Sequence, residues 1–365
     1  MKFVVVGNPG NRRVAMFADA VRSAGLPPAK VVAWREILAG TCAVPTDSLV
    51  RVDSPGEDEH VDRLLRGSLA HPYRADGSGA WYEGFTGGLR RLGETVAGTP
   101  GARLLNDLED IAVMFDKRRC HEVLTRAGCP VPPTIGDVDG YESLREQMRE
   151  RRWSKVFVKP AHGSSASGVV ALTAVGSRVA ATTSVAVTPD GLMNSLRVQT
   201  YRDEQAAALI DRLCADPVHV ERWFPKASLG GRSVDLRVVV IAGKATHAVA
   251  RASSHPITNL HLGGARVDVA ELRAVIGAAR WREWLDTCEK AAAQFGRTLM
   301  VGVDLLPGLG WRRHVVGEVN AFGDLLPRLT GLPDGPAAGM STYEAQIAAC
   351  ADWVDLAVPR TSDRL

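Results

Sequence analysis

The chain has 365 residues, 45% of them hydrophobic, which corresponds to two domains or three packed lobes with material for a sizeable core. A formal net charge of +3 is small for that length, and no basic run interleaved with aromatics occurs, which argues against a nucleic-acid partner. No stretch reaches the roughly 18 apolar residues of a membrane span, and the opening MKFVVVGNPG breaks too early for a secretory signal, so a cytoplasmic protein without a membrane partner is expected. The apolar run Phe3 to Val6 predicts a buried strand, and Gly7-Asn8-Pro9-Gly10 a turn after it. Val14, Phe17, Ala18 and Val21 recur at helical spacing over Arg12 to Ala24, and Gly25 with Pro27-Pro28 ends that helix. Lys30 to Trp34 and Leu49 to Val52 read as further strands, so the first part of the chain is an open, parallel α/β lobe. Residues 54–103 carry no motif beyond the packing anchors Trp81, Tyr82 and Phe85.

A second unit begins near Leu104. One long helix is predicted from about Leu108 to Ala127, capped by Gly128 and blocked by prolines at 130, 132 and 133. Lys155 to Val158 and Val169 to Thr173 are strands around a Gly/Ser loop, and residues 174–200 suit another hairpin. Glu204 to Cys214 is helical. Val218 to Phe224, Leu236 to Ile241 and Thr246 to Arg251 are strands, the last two joined by a turn at Ala242 to Ala245. Val267 to Phe295 is largely helical, Leu299 to Leu306 and His314 to Asn320 are antiparallel strands, and Thr342 to Leu356 is a closing helix. The expected domains are 1–103, 104–220 and 221–365. The six scattered cysteines form no CxxC pair, so they read as small buried hydrophobes rather than zinc ligands or a disulfide framework.

Four segments carry chemistry. In Phe157-Val158-Lys159-Pro160-Ala161-His162-Gly163-Ser164-Ser165-Ala166-Ser167-Gly168, a lysine ends a strand beside a loop of small residues. Such a loop lets backbone N–H groups approach an anion. Alone it also fits an idle hairpin tip, and it matches neither GxxxxGK[ST] nor GxSxG. In Asp304 and Gly317-Glu318-Val319-Asn320, strand alternation puts Glu318 and Asn320 on one face, with Asp304 on a neighbouring strand. Two carboxylates and an amide oxygen make a hard-donor site for Mg²⁺, although a structural salt bridge fits as well. Val220-Glu221-Arg222-Trp223-Phe224-Pro225-Lys226, then Asp235-Leu236-Arg237, offers a strand end and loop for an adenine edge, or simply an amphipathic strand. Arg251, followed by Thr258-Asn259-Leu260-His261-Leu262-Gly263-Gly264, could clamp phosphate or carboxylate, or form an ordinary surface loop.

The order of these segments, together with Lys117 in Phe115-Asp116-Lys117, resembles the ATP-grasp superfamily over about residues 104 to 330. The likeness is to carboxylate–amine ligases that add amino acids to a protein tail or to a small carboxylate. It implies an α/β fold with α+β lobes: a Rossmann-like pre-ATP-grasp lobe, a lid subdomain and a C-terminal metal-binding lobe. It implies ATP with Mg²⁺, or Mn²⁺, as the bound species. By this resemblance Lys117 and Lys159 match the phosphate-binding lysines, with His162, Gly163, Ser164, Ser165 and Gly168 on the lid loop. Glu221, Arg222 and Trp223 match the adenine hinge, where Arg222-Trp223 departs from the more usual aromatic-aliphatic pair. Lys226 and Asp235 match positions near the ribose, and Arg237 is an accompanying basic residue. Arg251 matches the arginine that steadies the transferred phosphoryl group, making Arg251 and Lys159 the catalytic candidates. Asp304, Glu318 and Asn320 match the magnesium ligands. His261 has no assigned counterpart, and facing the acceptor is an open reading.

The implied reaction phosphorylates a carboxylate to an acylphosphate, which an amine then attacks. Both partners are small molecules or peptides, and the enzyme is a monomer or a homodimer. Two alternatives stay open: a phosphotransferase acting on a hydroxyl, and a non-catalytic ATP-binding module. The acceptor is expected between the first lobe and the metal, near Gly7 to Arg13 and Asn259 to His261, where Arg12 and Arg13 could receive an anion at a helix start.

Overall fold

The computed structural model describes residues 1–67, 71, 73–163, 167–255 and 264–356. Four parallel strands, β1 (Lys2–Gly7), β2 (Lys30–Ala33), β3 (Ser48–Val52) and β4 (Arg103–Leu104), form the first sheet in the order β2-β1-β3-β4. Strand β1 is buried on both faces, as parallel strands are. Phe3 and Val5 join Phe17 and Val21 of α1 (Arg12–Ser23), while Val4 and Val6 join Trp34 and Ile37 of α2 (Trp34–Ala39). Trp34, expected to end a strand, instead opens that helix. Residues 54–103, which carried no readable motif, supply α3 (Glu59–Arg66) and α4 (Ser78–Ala97). The glycines of α4 explain its weak signal. A Cβ on Gly84 would lie 2.8 Å from the Leu65 carbonyl oxygen, and one on Gly88 would crowd Trp34 at 3.3 Å. Close helix packing has been bought here with residues of poor helix propensity.

The helix expected over Leu108 to Ala127 is two helices, α5 (Leu108–Phe115) and α6 (Lys117–Arg126). Between them Asp116 is extended (φ −102°, ψ 105°), and its carboxylate caps α6 by accepting from the Arg118 and Arg119 amides. An Asp at this position competes for the backbone and starts a new helix. The second sheet follows, with β5 (Thr134–Ile135), α7 (Tyr141–Glu150), β6 (Lys155–Pro160), β7 (Val170–Val175), β8 (Arg178–Thr188), β9 (Gly191–Arg202), α8 (Asp203–Leu213) and β10 (Val218–Arg222). It is antiparallel, in the order β5-β10-β6-β7-β8-β9. Val156, Val158 and Val220 pack on Leu144 and Met148 of α7 and Leu209 and Ile210 of α8. Alternation therefore leaves Phe157, Lys159, His219 and Glu221 on the opposite face.

The third sheet comprises β11 (Ser228–Leu229), β12 (Arg232–Ile241), β13 (Lys244–Ser253), β14 (Ala265–Val267), β15 (Met300–Pro307) and β16 (His314–Asn320), with the path β14-β13-β12-β15-β16. The stretch expected to be largely helical holds α9 (Val269–Ile276) and α10 (Ala278–Ala292), parted where Gly277 takes φ 82°. Trp281, Trp284 and Leu285 of α10 pack beneath Leu236, Val238, Val303 and Leu305. The last helix, α11 (Thr342–Leu356), returns to the first lobe, where Tyr343 packs with Phe17.

A buried ionic network joins the first sheet to the segment after β16 and to α11. Arg51 of β3 donates to Asp53 at 2.8 Å, to Asp324 at 2.6 Å and to Gln346 of α11 at 3.2 Å. Gln346 also donates to Asp324 at 3.0 Å, and Arg13 reaches the Phe322 carbonyl at 2.6 Å. Arg51, Asp53 and Asp324 are each at most 2% exposed. Burial pushes the Asp324 carboxyl up, but Arg51 and Arg13 overcome this and hold it below its ordinary value. Arg51→Met would leave two carboxylates buried without their shared cation and is expected to cost about 3–5 kcal/mol. Because the folded pKa of Asp324 is depressed, its contribution is full above about pH 4 and is lost as pH falls through the folded value. Asp324→Asn should therefore flatten the loss of stability on acidification. Urea midpoints measured at neutral pH and below pH 4 check both, and an unchanged midpoint for Arg51→Met at neutral pH would refute the first.

Candidate active site

Strand register brings the predicted charged residues of the third sheet onto one face. Arg251 of β13 lies opposite Asp235 of β12, and Arg237, two residues on, lies opposite Asp304 of β15. Asp304 in turn lies opposite Glu318 of β16, and Asn320 lies opposite Gly302. The ladder slips between Asp304 and Leu305, so Gly317 is the extra residue of a bulge beside Glu318. A Cβ on Gly317 would press on Leu306 at 3.0 Å, so this bulge is fitted to glycine. Gly302 and Gly323 approach so closely that a Cβ on either would come within 2.7 Å of the other's Cα. Arg237 lies along both of them.

The carboxylates on this face are already paired. Arg237 grips Asp304 with two nitrogens, one contact to each oxygen, and Arg251 adds a third at 3.0 Å. Arg251 also donates to Asp235 at 2.6 Å, and the Lys226 ammonium lies 3.8 Å from Asp235. Lys117, at the start of α6, reaches Glu318 at 3.0 Å. Asp304 is only 9% exposed, and burial pushes its carboxyl up. The two guanidiniums outweigh burial and hold its pKa at about 2. Burial lowers Lys226 below its ordinary range, although Asp235 works against it. The four cations Lys117, Lys226, Arg237 and Arg251 outnumber the carboxylates Asp235, Asp304 and Glu318, so the surface as it stands favours an anion.

The facing sheet supplies a second charged pair. Lys159 contacts Glu221, and His219 lies 3.5 Å from the other Glu221 oxygen. Burial pushes Glu221 up, but Lys159 above all holds it at about 2. Burial lowers His219, which is therefore neutral near pH 7, leaving Lys159 as the operative countercharge. A small cleft lined in part by Met114, Lys117, Lys159, His219, Gly317 and Glu318 lies where residues of the second and third sheets meet α5 and α6. Just past β10, the Trp223 ring packs tilted on Phe157 at 4.9 Å, and the Lys155 ammonium sits 5.4 Å from the Trp223 ring centre. The Arg222 side chain is exposed and lies over Trp153. Both hinge amides already donate inside the protein, Arg222 to Pro133 at 2.8 Å and Trp223 to Lys155 at 3.1 Å.

On the loop after β6, Gly163 turns its carbonyl to the Lys117 ammonium. Gly168 has φ 73°, and a Cβ there would collide with Pro160, so only glycine fits. Its amide donates to Asn194 of β9 at 3.2 Å. Ser164 and Ser165 lie outside the described residues, as do Asn259, Leu260 and His261. His162 is brought to the loop base, but its ring turns inward against Tyr82 and Asp116 rather than into the cleft. In the first lobe, Arg12 is exposed, whereas Arg13 is tied through Phe322 to the segment after β16. The sequence reading names Tyr82 only as a packing anchor and Asp116 only as the neighbour of Lys117, and it assigns His219 no role. The Asp-before-Lys helix cap and the alternation of His219 with Glu221 were available signals; the contact of Tyr82 was not, since it depends on tertiary packing.

No family model and no curated protein matches the chain. Solved structures do. D-cycloserine synthetase DcsG aligns over 88% of this chain and 91% of its own at 16% identity, with a TM-score of 0.55. The ATP-grasp ligase PsnB, complexed with minimal precursor, Mg and ADP, aligns over 97% and 98% at 17% identity and a TM-score of 0.52. Carboxyaminoimidazole ribonucleotide synthase from Aspergillus clavatus, complexed with ATP, aligns over 99% of this chain and 79% of its own at 14% identity and a TM-score of 0.56. At these identities the likeness speaks for architecture alone, and that architecture is an ATP-grasp fold behind a Rossmann-like first lobe.

Proposed function

We propose that this protein is an ATP-dependent ligase that joins a carboxylate to an amine through an acylphosphate, releasing ADP. What carries the reading is the convergence of Lys117, Arg237 and Arg251, from three separate elements, on the carboxylates Asp304 and Glu318 of adjacent strands. A triphosphate beside a carboxylate substrate is a problem of charge, so most of the catalysis lies in positioning and neutralisation. Lys117 and Lys159 are suited to hold the α- and β-phosphates, and Arg251 to balance charge on the γ-phosphoryl group. Each of these cations now rests on a carboxylate, and an incoming polyphosphate offers it a stronger partner. The neighbours' ligands and names support the class of acceptor: the macrocyclase MdnC is bound with a precursor peptide, and DcsG is a synthetase of a small molecule.

Asp304, Glu318 and Asn320 are the residues that would hold Mg²⁺, or Mn²⁺. They fit by chemistry, since two carboxylates and an amide oxygen are hard donors. A carboxylate has about four lone-pair directions. Asp304 uses three for Arg237 and Arg251, so transfer of those guanidiniums to phosphate would free it. When bound, the ion would neutralise charge between the β- and γ-phosphoryl oxygens.

Three outcomes are expected. ADP and free phosphate should form only when a carboxylate and an amine are both present, in a coupled substrate screen; a phosphorylated acceptor would instead mark a phosphotransferase. Lys159→Ala and Glu318→Ala should each lower turnover by at least about a hundredfold with the circular dichroism unchanged. ATP turnover equal to wild type in both variants would sink the assignment. Arg237→Gln should raise the Asp304 pKa from about 2 towards the ordinary carboxylate range, because one of the two charges opposing its burial is gone. A carboxyl-carbon NMR titration reads that shift, and an unmoved midpoint would mean that Arg251 alone sets it.

A further inference from the structure

The mechanism above gives His162 no part, yet the residue is held from two directions. It is 7% exposed, and its ring lies flat on that of Tyr82, with centroids 4.0 Å apart and planes within 9°. Tyr82 belongs to α4 of the first lobe, and its hydroxyl donates to the Ala112 carbonyl at 2.9 Å. At the ring edge, Nε2 of His162 lies 3.1 Å from Oδ2 of Asp116. Asp116 is the cap of α6 and is also paired with the Arg118 guanidinium at 2.9 Å. Burial pushes its carboxyl up, but His162 and Arg118 hold it far below the ordinary range, so it is ionised.

An ionised carboxylate only accepts, so Nε2–H is the donor. Nδ1 is buried and has no hydrogen-bond partner among the described residues. The ring is turned inward onto Tyr82 and Asp116, away from the cleft. Around it, two chain segments are laced residue by residue. The Asp116 side chain meets His162, the Lys117 amide donates to the Ala161 carbonyl at 3.0 Å, and the Lys117 ammonium meets the Gly163 carbonyl. His162 is the middle rung. A phenylalanine would fill the same slot on Tyr82 and remove the orphaned nitrogen, so packing alone gives no reason for an imidazole.

We propose that His162 is a positioning residue for Lys117. Its bond to Asp116 fixes the first turn of α6 against the base of the Gly/Ser loop, which presents the Lys117 ammonium to phosphate. The inference rests on the reading of Lys117 as a phosphate-binding residue.

His162→Phe keeps the stack and removes the bond to Asp116. Asp116→Ser keeps a helix cap and removes the same bond, and it serves should the first variant fold poorly. In calorimetric titration with ATP, either variant should weaken binding about tenfold while its urea midpoint stays near that of wild type. In a Lys117→Ala background the same change should have no further effect on ATP affinity, because its action runs through Lys117. Unchanged ATP affinity would reduce His162 to packing, and losses that multiply with Lys117→Ala would make it a direct ligand; either overturns the proposal. If wild type itself binds no ATP, the functional reading fails, and amide exchange of Lys117 in the nucleotide-free protein decides the remainder. His162→Phe should accelerate that exchange, and an unchanged rate would overturn the positioning role.

Discussion

The site depends on the neutralisation of Asp304. A carboxylate this buried is costly to ionise unless cations are brought to it. Here β-sheet register delivers them, with Arg237 directly across one ladder and Arg251 from the next strand but one. The same register fixes Glu318 across the other ladder and carries Asn320 over the bare backbone of Gly302. Strand pairing of ordinary geometry thus assembles a dense charged surface, and the apolar side chains of alternate positions anchor it on α10.

This surface is complete only because other elements close on it. Lys117 comes from the start of a helix whose position is set by Asp116, and Lys159 comes from a sheet on the far side of the cleft. The glycines contribute by what they lack. Gly302 and Gly323 let two backbones touch beneath Arg237, and Gly317 bulges beside Glu318. Larger side chains at these places would move the charges rather than merely crowd the core.

Much of the architecture was legible in the sequence, because long apolar or alternating runs such as Phe3 to Val6, Leu236 to Ile241 and Leu299 to Leu306 carry a strong period. The candidate charges were legible as a set for the same reason, since strand alternation predicts which of Glu318, Asn320, Asp235 and Arg237 share a face. What escaped was settled by tertiary contact. The helix α4 is hidden by glycines chosen for close approach to Leu65 and Trp34. The break at Asp116 is hidden because apolar spacing runs straight through it. The hinge amides at Arg222 and Trp223 are occupied by Pro133 and Lys155, and the ring of His162 points inward; neither partner lies close in sequence.

The network around Arg51 has a consequence for recombination of this chain with its structural relatives. The boundary after β4 looks like a natural crossover point, since one sheet ends there. Yet Arg51, held by Asp53 within the first segment, is matched to Asp324 and Gln346 more than 270 positions later. A chimera that exchanged the first lobe alone would inherit half of a buried ionic lock. The exchangeable module is therefore discontinuous: the first lobe together with the stretch after β16 and the helix α11 that folds back on it.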